Sequence, residues 1–256
     1  PRSTPSNSSA ASDVYKRQVY TLSHPINALI YALKIGQGMG YSHTQFLELG
    51  LAVLLYDVGM FRIPEGITKK KGKLTNSEVA LIRKHPEMGR DILSPFKEGH
   101  HPWLPRVAYE HHERENGQGY PRGIKGDEIC EYAKIVGIVD TYEAMIHNRP
   151  YRKAIMQHVS VKELIGSKNH LFSPKIIRVF LKEISLFPVG SYVRLNNMAI
   201  GEVSATSKDY PLRPLVKLLF DSDGNSVTEE KLIDLVEHPI LYVAKAVRNE
   251  DLPSEG

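Results

Sequence analysis

One cysteine, Cys130, occurs in 256 residues. An internal disulfide is therefore excluded, and the usage fits a reducing compartment. No apolar run reaches the ~20 residues that a membrane-spanning helix needs. The longest candidate, Leu47 to Leu55, is interrupted by Glu48 and reads as a buried helix. The N-terminus lacks the charged-then-apolar order of a signal peptide. Strong charge of either sign is missing too. A net charge of +4 and a pI near 9.0 suit an anionic ligand but are too weak to indicate nucleic acid. These absences predict a cytoplasmic protein with no membrane segment and no nucleic-acid partner. No internal repeat is visible. What remains is ordinary: 41% hydrophobic and 24% charged residues, enough for one substantial core and a small appended module.

Residues 1–18 are rich in Ser, Pro and Ala and nearly free of large apolar groups, which predicts a disordered tail or a non-native segment. From Val19 the pattern is helical. Ile26, Leu29, Ile30, Leu33 and Ile35 recur at three- and four-residue steps, predicting one apolar face, with His24 at its entrance. The next helix, Thr44 to Tyr56, is apolar nearly all round and is expected to be central. It delivers Asp57, a costly residue at a buried helix end unless it is paired or holds a metal. Lys69 to Lys73 read as a solvated loop. Thr75 and Glu78 form a capping box with Leu74 as its staple. Pro86 should kink or break the helix that follows, beside His85. A short helix and loop are expected over Arg90 to Pro105, then a helix from Pro105 to His112. A tight loop through Gly117, Gly119 and Pro121 comes next. Asp127 is placed to cap a helix whose broad apolar face, Ile129 to Val139, ends at Asp140. Arg149-Pro150-Tyr151-Arg152 closes it. Helices over Val159–Gly166 and Pro174–Leu186 follow.

Past Pro188 the apolar period shortens to two. Tyr192–Leu195, Gly201–Val203 and Leu215–Phe220 read as strands, with turns at Asn196-Asn197 and Asp223-Gly224. A last helix is predicted over Glu229–Val247. The fold class is mainly α, a helical bundle over residues 19–187 followed by a small antiparallel β appendage and a final helix over 188–256.

Six groups stand at helix ends or irregularities: His24, Asp57, His85, His111, His112 and Asp140. Singly, each reads as structural; His24 can be a satisfied histidine at a helix start, and Asp140 a partner for Arg149. Together, imidazoles and carboxylates suit a borderline divalent metal such as iron, manganese or zinc. Six exceed one tetrahedral site, so two ions sharing a bridging carboxylate are the natural arrangement. Such pairs favour in-line displacement at phosphorus.

The ordered set His24, Tyr56-Asp57-Val58-Gly59, His85-Pro86-Glu87-Met88-Gly89, His111-His112-Glu113, Gly119-Tyr120-Pro121, Asp140 and Arg149-Pro150-Tyr151-Arg152 resembles the HD-GYP family. This is the HD-phosphohydrolase branch that hydrolyses cyclic di-GMP, and the resemblance covers about Val19 to Phe187. It implies an HD-type helical bundle and two divalent ions at most, iron or manganese. His24, Asp57 and Asp140 would ligate the first; Asp57 would bridge to a second held by His85, His111 and His112. Arg149 and Arg152 would contact substrate phosphates. Gly119 and Tyr120 lie in the loop that the family uses for substrate fit and for contacts with diguanylate cyclase domains.

The sequence departs from the family at three places. Tyr56 replaces the histidine of the His-Asp pair, so the first metal site is impaired; a phenol, with an ordinary pKa near 10, is a poor ligand. Met60 replaces a lysine near the substrate phosphate. Tyr20, four residues before His24, replaces the carboxylate that some members use for a third ion. The resemblance thus implies a weakened cyclic di-GMP phosphodiesterase. A catalytically silent cyclic di-GMP receptor or protein-interaction module is the alternative, and a phosphohydrolase of another nucleotide a third. With only a tail ahead of the bundle, no sensory domain is expected.

Overall fold

The computed structural model describes residues 24–70, 72–98, 101–147, 155–166, 170–184, 186–207 and 209–253. The predicted tail, Tyr20 and the Arg149–Arg152 segment lie outside these residues. The chain divides into two compact units. Among the described residues, the first holds 24–144 and 170–173; the second holds 145–147, 155–166 and 174–253.

The first unit is helical. Its elements are α1 (residues 24–38), α2 (His43–Leu55), a 3-10 turn (Val58–Arg62), α3 (Glu65–Thr68), α4 (Asn76–Ile82), α5 (His85–Leu93), α6 (Leu104–Glu110) and α7 (Glu131–Ile146, up to Ala144). The predicted capping box is present: Thr75 accepts from Glu78 N, and the Glu78 carboxylate accepts from Thr75 N. Ser42 and Gln45 build a second one at α2.

Three expectations are corrected here. Of the predicted face, α1 fully buries Ile35 alone; Ala28 and Ala32 are buried with it, Leu29 and Leu33 are half-buried, and Ile26 and Ile30 are about half exposed. The small side chains let the helix approach its neighbours, so the buried line is rotated from the predicted one. α2 is not the central helix. It buries Leu49, Ala52 and Val53 but exposes Leu47 and Leu54, whereas α7 buries Ile135, Val136, Ile138 and Val139 in succession. Asp127 does not cap α7. It lies in a 3-10 turn, Gly126–Glu128, exposed and 3.9 Å from Lys134, three residues before the cap position of α7.

The helical run His43–Arg62 is 20 residues long with mean hydropathy 1.3, so by length and composition it is comparable to a membrane span. The α-helical part is only 13 residues, about 20 Å at 1.5 Å per residue. The rest is turn and 3-10 helix carrying Asp57 toward His85.

In the second unit α8 (Gln157–Gly166) and α9 (Pro174–Glu183) precede five antiparallel strands. These are β1 (Tyr192–Leu195), β2 (Ile200–Ala205), β3 (Leu215–Phe220), β4 (Leu232–Asp234) and β5 (Val243–Val247), in the order β4-β3-β2-β1-β5. Inward residues alternate as the period-2 pattern requires, Val193 and Leu195 on β1 and Val216, Leu218 and Phe220 on β3. The predicted helix over Glu229–Val247 is overturned: that stretch is β4, a turn and β5. Pro239 in its middle cannot donate a helical hydrogen bond. The turn is held instead by Arg213, which donates to the carbonyls of Leu235 (2.7 Å) and Pro239 (3.2 Å).

Candidate metal centre

Pro86 determines how His85 is held. In a continuous helix the Ile82 carbonyl would accept from the N–H of residue 86, and proline has none. α4 therefore stops at Ile82, α5 restarts at His85 with Pro86 in its first turn, and the freed Ile82 carbonyl accepts from His85 Nδ1 at 2.7 Å. α6 repeats the device at its C-terminal end, where last-turn carbonyls lack helical donors: Ala108 O accepts from His111 Nδ1 at 2.9 Å. With both protons placed on Nδ1, both Nε2 atoms carry bare lone pairs, and they face each other at 3.1 Å.

His112 completes the cluster; ligand atoms of His85, His111 and His112 all lie within 4.8 Å of one another. Burial pushes all three imidazole pKa values down, His111 well below the ordinary range and His112 to about 3. They are neutral, as a metal ligand must be. Asp57 Oδ1 approaches His85 Nε2 at 3.3 Å. It is brought there by Gly59, where a Cβ would collide with the His85 carbonyl oxygen. Three neutral imidazoles converging beside a carboxylate, two of them (His85 and His111) anchored from behind by a carbonyl, fit a divalent cation.

The other half of the site is built differently. His24 Nε2 lies 3.0 Å from Asp140 Oδ1 and 2.9 Å from the Tyr56 hydroxyl, which itself donates to Asp140 Oδ1 at 3.0 Å. Behind His24, its Nδ1 bonds Glu143, a fully buried carboxylate on α7 that Asn27 also contacts. Burial opposes charge on His24, but hydrogen bonds to Asp140 and Glu143 outweigh it and raise its pKa to about 9. Burial, with Asp140 and Asp57 nearby, pushes the Tyr56 phenol well above its ordinary value. Tyr56 is therefore a neutral hydrogen-bond donor at pH 7. This half is satisfied by its own side chains, whereas the histidine cluster leaves lone pairs in contact.

The loop folds back over the cluster. Tyr120 N donates to the His112 carbonyl, and the two rings stack at 4.6 Å and 21°. Gly119 permits the fold, since a Cβ there would strike the backbone of Glu113 and Arg114. Glu113 secures the loop, with Oε1 accepting from Arg122 N (2.7 Å) and Gly123 N (3.2 Å). Buried Glu110 pairs with Arg106 and Arg122 and accepts from Cys130 N. Met60 is half-buried in the 3-10 turn after Asp57, its N–H bonded to the Asp57 carbonyl at 2.9 Å.

The sequence pattern described as HD domain matches residues 8–176, beginning inside the stretch expected to be tail. The chain belongs to the HD domain family. Residues 192–255 match a KOW domain associated with HD domains, covering all five strands. The HD domain relatives include the cyclic di-GMP phosphodiesterase PA4108 of Pseudomonas aeruginosa, 30% identical over 216 residues, 84% of this chain and 52% of the relative. A 3'3'-cGAMP-specific phosphodiesterase 3 of Vibrio cholerae is 31% identical over 172 residues, 66% of this chain and 36% of that protein. The chain thus spans about half the length, or less, of these relatives. Among solved structures, Bd1817, an HDG"Y"P protein of Bdellovibrio bacteriovorus, shares the fold at TM-score 0.51 and 19% identity, over 61% of this chain and 50% of that one.

Of the residues singled out from sequence, the HD domain brings together His24, Tyr56 and Asp140, and beside them Asp57, His85, His111 and His112, with the Tyr56 ring 5.0 Å from that of His111 and Tyr120 stacked on His112. Arg149 and Arg152 are outside the described residues. Sequence reading missed Glu143, Glu110, and the carbonyls of Ile82 and Ala108. Two acids set among apolar helical positions were the visible signal for the first pair. The carbonyls carry no sequence signal except Pro86.

Proposed function

We propose that this chain is a cytoplasmic signalling domain that takes cyclic di-GMP at a lopsided metal centre and hydrolyses its phosphodiester bonds slowly. One observation supports this above others: the facing, unprotonated Nε2 atoms of His85 and His111, with His112 and Asp57 beside them. These four would hold an iron or manganese ion, which supplies Lewis-acid polarisation of phosphate and water. Arg149 and Arg152 would orient the phosphates, and Asp57 would face the first site. The losses at Tyr56 and Met60 remove a ligand and a cation from the reacting side, each a several-kcal/mol effect by analogy with about 2.7–4 for one transition-state donor.

A second reading, a silent receptor or protein-interaction module, is favoured by the closed His24–Tyr56–Asp140 triad, which needs no ion. In that role the Gly119-Tyr120-Pro121 loop would contact diguanylate cyclase domains. Purified protein given manganese or iron and either cyclic di-GMP or 3'3'-cGAMP separates the readings. Slow release of linear dinucleotide or GMP supports the enzyme; micromolar binding with no product supports the receptor; no interaction with either dinucleotide rejects both of these and leaves the protein-interaction module.

A further inference from the structure

Two guanidinium groups act on His112, those of Arg114 and Arg83. Arg114 is committed. Its Nη1 donates to the carbonyls of His111 (3.1 Å) and Glu113 (2.8 Å), and its guanidinium lies 5.1 Å from the Phe172 ring centre. Arg83 is exposed at the C-cap of α4. Its guanidinium carbon rests 4.3 Å from the centre of the Tyr120 ring, with no hydrogen bond or ion pair to any other described residue. Lys70, Arg90 and Arg122 are paired with Glu78, Asp91 and Glu110, whereas Arg83 is the guanidinium set against the Tyr120 ring.

A guanidinium over an aromatic ring is held in place without being neutralised. All of its N–H donors remain available to a planar anion or a phosphate. Tyr120 is itself held by its stack on His112 and by its N–H on the His112 carbonyl. Arg83, Tyr120 and His112 thus form a continuous stack running from solvent to the histidine cluster. We propose that Arg83, carried by Tyr120, is the phosphate-contacting cation of this centre, filling the role for which position 60, a methionine, has no charge. The inference rests on the reading that the centre takes a phosphodiester.

The test is calorimetric binding of cyclic di-GMP, and separately of inorganic phosphate, to manganese-loaded protein. Arg83→Gln should weaken binding about tenfold to a hundredfold, as loss of a charged hydrogen bond does, and flatten its salt dependence. Tyr120→Leu should weaken it too, and add little in combination with Arg83→Gln. Arg83→Lys should recover part of the loss. Lys34→Gln, an exposed charge ten residues along α1 from His24, should stay within about twofold. Manganese content should be unchanged throughout. If Arg83→Gln matches Lys34→Gln for both ligands, or loses manganese, the proposal is overturned. Phosphate binding that depends on Arg83 without dinucleotide binding would sustain Arg83 and reject the cyclic di-GMP reading. Binding of neither ligand would reject both.

Discussion

His85 Nε2 and His111 Nε2 stand 3.1 Å apart with no proton between them, because each ring spends its N–H on a carbonyl three residues earlier. Two lone pairs in contact are unfavourable, and a cation between them removes the conflict. The opposite half of the site has no such conflict, since its charges and hydroxyl already satisfy one another.

The first expected outcome follows from that asymmetry. Protein purified with manganese should carry about one ion per chain by elemental analysis, and His111→Ala should lower this at least tenfold. His24→Ala should leave the single ion in place. Equal losses in both variants would mean a shared site.

The two halves should also respond differently to pH. Ordinary imidazoles must shed protons to bind metal, and three of them at pKa 6.5 would lose roughly fiftyfold in affinity from pH 7.5 to 6. Burial holds His111 and His112 well below that value and lowers His85 as well, so the first equivalent should lose clearly less than about fiftyfold over the same range. His24, raised to about 9, keeps its proton at pH 7.5. A second equivalent should therefore bind roughly fifteenfold better at pH 9 than at 7.5. Competition with a chromophoric chelator reads both.

Pro86→Ala changes no ligand, yet it should weaken metal binding about tenfold to a hundredfold, the usual cost of losing an outer hydrogen bond. The restored N–H of residue 86 would extend the helix and compete with His85 Nδ1 for the Ile82 carbonyl. Helical content by circular dichroism should rise as metal affinity falls. A rise without the fall would reject the proposed anchoring.

Tyr56→His combined with Met60→Lys should admit a second ion and raise cyclic di-GMP turnover together, by about a hundredfold or more. Tyr56→Phe should leave metal content unchanged, because the phenol is a donor and not a ligand. Metal stoichiometry and product formation, measured on the same preparations, decide this. Gain of an ion without turnover would place the defect elsewhere.

Glu143→Ala should destabilise the fold by about 3–5 kcal/mol, since it strips a buried partner from a charged His24. Glu143→Gln should cost less. Chemical denaturation in metal-free buffer measures both.

Legibility tracked how local the determining physics was. Thr75 and Glu78 marked a helix start because both partners of the box lie within one turn. Pro86 marked the break in the same way. The metal-type residues were legible only as a set: singly, Asp and His are ordinary at helix ends, but six imidazoles and carboxylates in that order exceed what capping needs. Burial was less legible: the apolar line of α1 looked like Ile26 and Ile30, while the alanines went inside. The stretch from Glu229 to Val247 looked helical because its apolar residues can be spaced either way. Its pairing with β3, about 15 to 19 positions away, and with β1, about 50 away, decided for strands.

Ile82 and Ala108 grip the histidine cluster with main-chain oxygen, an atom every residue type possesses. No side-chain substitution at either position deletes the acceptor. His24, in contrast, is oriented by Glu143, Asp140 and Tyr56, each one codon change from losing its contact. Drift should thus erode the two halves at different speeds. A chain that keeps His85, His111 and His112 while carrying a tyrosine before Asp57 is what that difference in mutational robustness would leave behind.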